Sequence, residues 1–344
     1  MAFNSLDLFF SQGALRRWRI VPVFLGAFLV AVVGMTAAHA AKPVVSAQEL
    51  KGLVDQRAVR VLDIRELKGD AKSPSYADGH IPESIATPYS AFRGPKQNPG
   101  QPVAEDRLSQ LVSGWGLTPK TRIVIVNRGT DGTDFGAAAR VYWTLKVAGF
   151  NNLSILDGGL AAWSAAGYSF TKDIPAVSQT SVKLTYDRRQ IVSQEEVAGL
   201  LPKGESARSS GQTRLLDARP EAFFKGDVRH AAAGRYGTLP GASHFDQEEW
   251  FQKGSGRLKS VAEIQGIAKA ANLLTTDETI SFCNTGHWAA TNWFILSEVL
   301  GQTNQRMYPE SMVAWSKSNL PVANEPSRAV IIWRDLKGTV SNLF

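Results

Sequence analysis

The segment Ser281-Phe282-Cys283-Asn284-Thr285-Gly286-His287-Trp288-Ala289-Ala290 holds the only cysteine in a chain of 344 residues. Its thiol has no partner for an intrachain disulfide and no second cysteine with which to share a metal. A β-like run, Thr279 to Phe282, precedes it, and a helix-like run, Ala289 to Leu300, follows it. A thiol at a strand-to-helix turn meets backbone N–H groups and the positive end of a helix dipole, and both favour a thiolate. The pattern suits nucleophilic sulfur. Amides from Asn284 to Ala289 would curl around the sulfur and stabilise its negative charge, and Gly286 would let the backbone turn tightly. His287 has two open roles. It could supply positive charge or a proton, because free imidazole titrates near ~6.5, or it could be a neutral loop residue bonded to backbone. Thr285 could offer its hydroxyl to an anion. Trp288 is expected to form the pocket wall or pack into the core.

The elements that would position this loop occur twice. Arg60-Val61-Leu62-Asp63-Ile64-Arg65 and Arg214-Leu215-Leu216-Asp217-Ala218-Arg219 each read as a strand ending in Asp. Gly79-His80-Ile81-Pro82 is answered by Gly237-Thr238-Leu239-Pro240, and Arg122 to Asn127 by Glu278 to Cys283. A helical stretch with a tryptophan follows each, Trp143 and Trp293. The halves close on Leu156-Asp157-Gly158-Gly159-Leu160-Ala161-Ala162-Trp163 and Tyr308-Pro309-Glu310-Ser311-Met312-Val313-Ala314-Trp315. Strands alternating with helices predict α/β domains with mainly parallel sheets, whose ligands sit at the carboxyl ends of strands. Cys283 occupies such an end, and Asn127 occupies the matching one. A polar linker is expected around residues 171–189. The tail begins with a strand-like run, Ala329 to Trp333.

The composition is that of a globular protein, 44% hydrophobic and 20% charged. Residues 1–40 carry Arg16, Arg17 and Arg19 against Asp7, so about +5 of the net +7 belongs to the rest of the chain. That excess suits small anionic substrates. No run of Lys and Arg interleaved with aromatics points to nucleic acid. The three arginines precede an uncharged stretch, Ile20 to Ala38, that ends in Ala38-His39-Ala40. This is the pattern of an export signal cleaved before Ala41, and it predicts a periplasmic or otherwise exported protein. An uncleaved membrane anchor is the alternative, since the stretch is close to the ~20 residues a spanning helix needs. His80, His230 and His244 form no metal-ligand spacing with Cys283, so no metal and no cofactor are expected.

Over roughly residues 45–325 these motifs resemble the tandem rhodanese family, the thiosulfate and 3-mercaptopyruvate sulfurtransferases. The carriers are the paired Leu-Asp-x-Arg strands, the Gly-His-Ile-Pro turn, the Leu-Asp-Gly-Gly-Leu-x-x-Trp ending and a cysteine loop in the second repeat alone. The resemblance implies two rhodanese-like domains, an inactive one over 41–175 and a catalytic one over 185–325, with a tail over 326–344. It implies sulfur transfer through a persulfide on Cys283, from a small anionic donor such as thiosulfate to a thiophilic acceptor, which could be a protein thiol. The residues expected to meet substrate are Arg219, Asn284, Thr285, Gly286, His287, Trp288 and Ala289. Asn127 marks the silent repeat.

Two features depart from the family pattern. Its thiosulfate enzymes carry a second arginine four residues after the first, where this chain has Phe223. Lys225, Arg229 or Arg235 could replace that cation, and Arg219 either contacts substrate or only partners Asp217. The Asn-Thr-Gly-His-Trp loop matches neither the basic loop of thiosulfate enzymes nor the Gly-Ser-Gly-Val-Thr run of mercaptopyruvate enzymes. Asp63 and Asp217, placed alike in both repeats, suit architecture. A phosphatase of this fold would need an arginine at Ala289. A non-catalytic binding module and a persulfide carrier fed by a partner protein stay open as rivals.

Overall fold

The computed structural model describes residues 41–69, 74–201 and 213–332, which fall in one compact unit beginning at Ala40. The expected leader, residues 1–40, lies outside the described residues. Among the described residues no helix is long and apolar enough to cross a membrane.

The first repeat runs β1 (Val44–Val45), α1 (Ala47–Asp55), β2 (Arg60–Asp63), β3 (Ile85–Ala86), α2 (Glu105–Gly114), β4 (Ile123–Val126), α3 (Gly132–Val147), β5 (Leu153–Leu156) and α4 (Gly159–Ala165). The second runs α5 (Gln194–Leu200), β6 (Thr213–Asp217), α6 (Glu221–Phe224), β7 (Ser243–His244), α7 (Val261–Ala270), β8 (Glu278–Phe282), α8 (Trp288–Phe294), β9 (Gln305–Met307) and α9 (Ser311–Trp315). All strand pairs are parallel, in the orders β1-β5-β4-β2-β3 and β7-β6-β8-β9. Ile191 bridges Met307 where β1 would pair with β5, so the second sheet keeps a one-residue trace of the fifth strand. The expected α/β fold of two parallel sheets flanked by helices is the observed one.

Local sequence explains the elements. The unbroken Ile-Val-Ile-Val of β4 is wholly buried, as a parallel strand covered on both faces requires. Capping boxes start α1 (Ser46 with Glu49) and α5 (Ser193 with Glu196) at matching places in the two repeats. The linker adopts no regular structure through residue 186 apart from the Thr171 bridge to His80. It stays ordered because α2 satisfies its backbone: the N–H groups of Val182, Leu184 and Tyr186 donate to Ser113 Oγ, Ser109 Oγ and Glu105 Oε1. The strand-like run that begins at Ala329 is helical where it is described, over residues 328–332; Trp333 lies outside the described residues. That run lies on the surface, Ile332 being 60% exposed, and the Ile331 N–H donates locally to Ser327 O at 3.1 Å.

The two repeats share one core. Phe135 and Tyr142 of α3 pack edge-on against Phe294 of α8, with ring centroids 5.7 and 4.9 Å apart. Burying each such ring contributes about 1.5–3 kcal/mol. Tyr142 Oη donates to Glu298 Oε2 at 2.6 Å and Lys146 Nζ reaches the same atom at 3.0 Å. The helix that follows the cysteine loop is thereby docked on the corresponding helix of the silent repeat. The expected helix Ala289 to Leu300 is realised as α8 followed by a π-helical turn, Ile295–Val299.

Candidate active site

In the first sheet Asp63 pairs with Val126, and in the second Asp217 pairs with Phe282. Asn127 and Cys283 therefore stand one residue past equivalent strand ends, as expected. The surrounding frame repeats as well. Leu160 and Ala161 donate their N–H groups to the carbonyls of Asn127 and Arg128, and Met312 and Val313 do the same for Cys283 and Asn284. One difference is Ser311, which adopts a positive φ of 54° where the silent repeat has Gly159 at 51°. A side chain in that region costs about 1 kcal/mol or more. The Ser311 hydroxyl offsets this by accepting the Cys283 N–H at 3.0 Å and donating to Tyr308 O at 2.9 Å. Sequence reasoning missed Ser311, although Ser in place of Gly at a matched repeat position was a visible signal.

The loop amides differ between the repeats. In the silent loop the N–H groups of Arg128, Gly129 and Thr130 donate to the carboxylate of Asp134 at 3.4, 2.5 and 3.3 Å, and Asn127 Nδ2 donates to it at 2.7 Å. In the cysteine loop the N–H groups of Asn284, Thr285, Gly286 and His287 have no acceptor among the described residues. The two loops, 127–131 and 283–287, have equal length and precede α3 and α8 alike. Such a loop converges its amides on one point and makes an anion cradle. At Cys283 those donors are unspent.

The silent repeat holds the cysteine loop in place. Arg93 Nη2 donates to Thr285 O at 3.0 Å, and Arg140 donates to Gly286 O at 3.3 Å and to Gly100 O at 2.8 Å. Arg140 is fully buried; burial, then repulsion from Arg93, pulls its pKa down to about 9, so it is a cation at neutral pH. Arg93 lies over the Tyr89 ring at 5.2 Å, and its Nη1 is buried with no hydrogen-bond partner among the described residues. Two cations thus border the loop from across the repeat boundary. The residues nearer in sequence point elsewhere. Lys225 pairs with Glu221 at 2.7 Å, Arg235 with Glu325 at 2.5 Å, and Arg229 donates to Ala233 O at 2.9 Å. Phe223 turns its ring edge-on to Trp288 at 5.9 Å and makes an apolar wall.

His287 is not a source of charge. Its Nε2 lies 2.6 Å from the Thr133 carbonyl, which can only accept, so that nitrogen carries the proton. Nδ1 then accepts from Tyr89 Oη at 2.7 Å. Both contacts fit the neutral ring, and burial, with added repulsion from Arg93 and Arg140, pushes its pKa down to about 4. Of the two roles left open by the sequence, the geometry favours the neutral one, a strut between the repeats. An unfolded histidine takes up its proton near pH ~6.5, whereas the folded one resists until about 4, so stability is full above ~6.5 and declines as pH falls between these values. The melting temperature should therefore drop more from pH 7 to pH 5 in the native protein than in His287→Gln. Equal drops would count against the neutral strut.

Arg219 is spent on architecture. It forks onto Asp217 (2.6 and 2.8 Å) and donates to Gly237 O at 2.8 Å, as Arg65 does to Asp63 and to Gly79 O at 2.7 Å. Removing one partner of such a buried pair costs about 3–5 kcal/mol. Its one reach into the loop is Nη1 to Asn284 Oδ1 at 3.3 Å, which makes Arg219 a positioning residue. Trp288 Nε1 donates to Thr133 Oγ1 at 3.1 Å, and Ala289 lies buried in the first turn of α8. Among the described residues no three His, Cys, Asp or Glu side chains are grouped to hold a metal.

Comparison with known proteins agrees with this arrangement. The Rhodanese-like domain family matches residues 46–166 and again 194–318. A putative thiosulfate sulfurtransferase from Synechococcus elongatus is 26% identical over 284 residues, covering 80% of this chain and 83% of that protein. The thiosulfate sulfurtransferase of Azotobacter vinelandii is 27% identical over 243 residues, covering 70% and 83%. The crystal structure of the 3-mercaptopyruvate sulfotransferase SseA of Escherichia coli shares the fold, with a TM-score of 0.65 at 22% identity over 79% of this chain and 99% of SseA. With two matched domains, a doubled parallel-sheet frame and a single cysteine loop in the second, the chain belongs to the rhodanese family of sulfurtransferases.

Proposed function

We propose that the protein moves a sulfane sulfur from thiosulfate to a thiophilic acceptor through a persulfide on Cys283. The Cys283 thiolate attacks the outer sulfur of thiosulfate; the sulfur–sulfur bond breaks and its electron pair leaves with sulfite. An acceptor such as cyanide or a thiol then attacks the outer sulfur of the persulfide and returns the thiolate. The observation that carries this reading is a free cysteine at the head of a loop whose amides at Asn284, Thr285, Gly286 and His287 meet no acceptor among the described residues. These donors would hold the negative charge of the persulfide's outer sulfur, as an oxyanion hole holds an alkoxide. Arg93, with one nitrogen unpaired beside the loop, would take the anionic end of the donor in place of the arginine lost at Phe223.

The names of the Synechococcus and Azotobacter relatives favour thiosulfate. The loop lacks the Gly-Ser-Gly-Val-Thr run associated with mercaptopyruvate, which makes that donor the second choice. The export pattern of residues 1–40 supports a site of action outside the cytoplasm.

The test is the intact mass of the protein recovered from the export compartment, before and after thiosulfate, followed by cyanide. The expected result is a chain beginning at Ala41 that gains one sulfur on Cys283 and then yields thiocyanate. No gain from thiosulfate or mercaptopyruvate would leave a binding module or a partner-fed carrier as the better reading.

A further inference from the structure

We propose that the first repeat retains an anion site whose resident ligand is the Asp134 carboxylate, and that removing this carboxylate returns a cradle able to take a small oxyanion or a cysteine persulfide. Asp134 stands at the third position of α3 and Ala290 at the third position of α8, so one repeat carries a carboxylate where the other carries a methyl group. Acidic residues at helix starts are common, since they meet the dipole and the first free N–H groups. Asp134 does something else. The helix is already capped by Asp131, whose Oδ1 accepts the Asp134 N–H at 2.8 Å. The Asp134 carboxylate instead reaches back past the cap and collects the amides of Arg128, Gly129 and Thr130 together with the side-chain amide of Asn127. Those backbone donors correspond to Asn284, Thr285 and Gly286, and Asn127 corresponds to Cys283. The carboxylate therefore sits where a persulfide or donor anion would sit in the second repeat.

A cavity of about 440 Å³ opens beside the silent loop and is lined by Arg128, Thr130, Leu160 and Ala161. The first repeat is silent on two counts: its strand ends in an amide instead of a thiol, and its cradle is filled from within. Restoring the thiol alone leaves the introduced sulfur facing a fixed negative charge. This opposes the thiolate and competes for the amides that would stabilise it.

The persulfide half of this proposal rests on the sulfurtransferase reading; the anion half does not. The test compares Asn127→Cys with Asn127→Cys/Asp134→Ala, both in the Cys283→Ser background, and thermal melting confirms that each is folded. With thiosulfate, the introduced thiolate would attack the outer sulfur and expel sulfite, so the variant lacking the carboxylate should gain one sulfur and the other none. A donor-independent readout is the rate at which the introduced thiol reacts with iodoacetate relative to iodoacetamide. Opening the cradle should raise that ratio about tenfold or more, because free amides attract the anionic reagent. Asp134→Ser, which keeps a polar group without the charge, should behave like Asp134→Ala. Equal sulfur uptake and equal alkylation ratios with and without Asp134 would overturn the proposal. A raised ratio without sulfur uptake, alongside a native Cys283 that also takes none, would support the anion site and sink thiosulfate as the donor.

Discussion

Replacing Cys283 by serine is expected to abolish sulfur uptake and thiocyanate formation while the fold is kept. The chain has no other thiol, so no side chain can take over the nucleophile. A serine hydroxyl is not appreciably ionised near neutral pH, and an oxygen in that place cannot carry a sulfane sulfur as a persulfide does. The structural cost is small because the replacement is nearly isosteric. Cys283 is fully buried, so the more polar hydroxyl must find a partner, at a cost of about 1–3 kcal/mol. The backbone contacts of residue 283 to Ser311 and Met312 are unaffected. Intact mass, thiocyanate release and thermal melting check this together. Sulfur transfer by the serine variant would remove Cys283 from the mechanism.

Gly286→Ala is expected to disable the site by distorting the cradle. Gly286 has a φ of 67°, in the left-handed region where a side chain costs about 1–2 kcal/mol. A methyl group there would also collide with Arg140 Nη1 and with the Pro309 carbonyl oxygen. Neither can yield cheaply. Arg140 is fully buried and clamps Gly286 O and Gly100 O, and Pro309 lies on the turn that leads to Ser311. The loop must shift, and with it the amides that face the sulfur. Losing the aim of one such donor costs about 10²–10³ in rate. Turnover should fall by about that factor, with a melting temperature several degrees lower. Turnover within twofold of the native protein would show that the amides of this loop do not act on the sulfur.

Much of the architecture was legible because it depends on local pattern. Arg-Val-Leu-Asp and Arg-Leu-Leu-Asp are buried parallel strands in both repeats, and their common Asp–Arg fork explains why the motif recurs in the silent half. The strand-like run from Ala329 is helical through residue 332, because β-branched composition says nothing about whether a sheet edge is within reach. The sequence left His287 open between a charged and a neutral role for a related reason: its charge follows burial and the Arg93 and Arg140 cations, and its ring is bonded by Tyr89 and Thr133, all of which the other repeat supplies. The missing cation was sought at Lys225, Arg229 and Arg235, close in sequence, whereas Arg93 and Arg140 reach the loop from the silent repeat.

The sequence by itself determined the duplicated α/β frame, the position of the lone cysteine at a strand end and the amide, Asn127, at the matching place in the first repeat. These follow from residue type and from periodicities carried along a single segment of chain. Only the tertiary structure decided what surrounds the sulfur. Docking α3 on α8 brings the arginines, the tyrosine and the backbone of one repeat against the loop of the other. Whether a half-buried histidine is neutral, an arginine is spent or an amide is free depends on neighbours far away along the chain. The Asp134 carboxylate in the silent cradle is the clearest case, since its acidic side chain is plain in the sequence and its place among the loop amides is not.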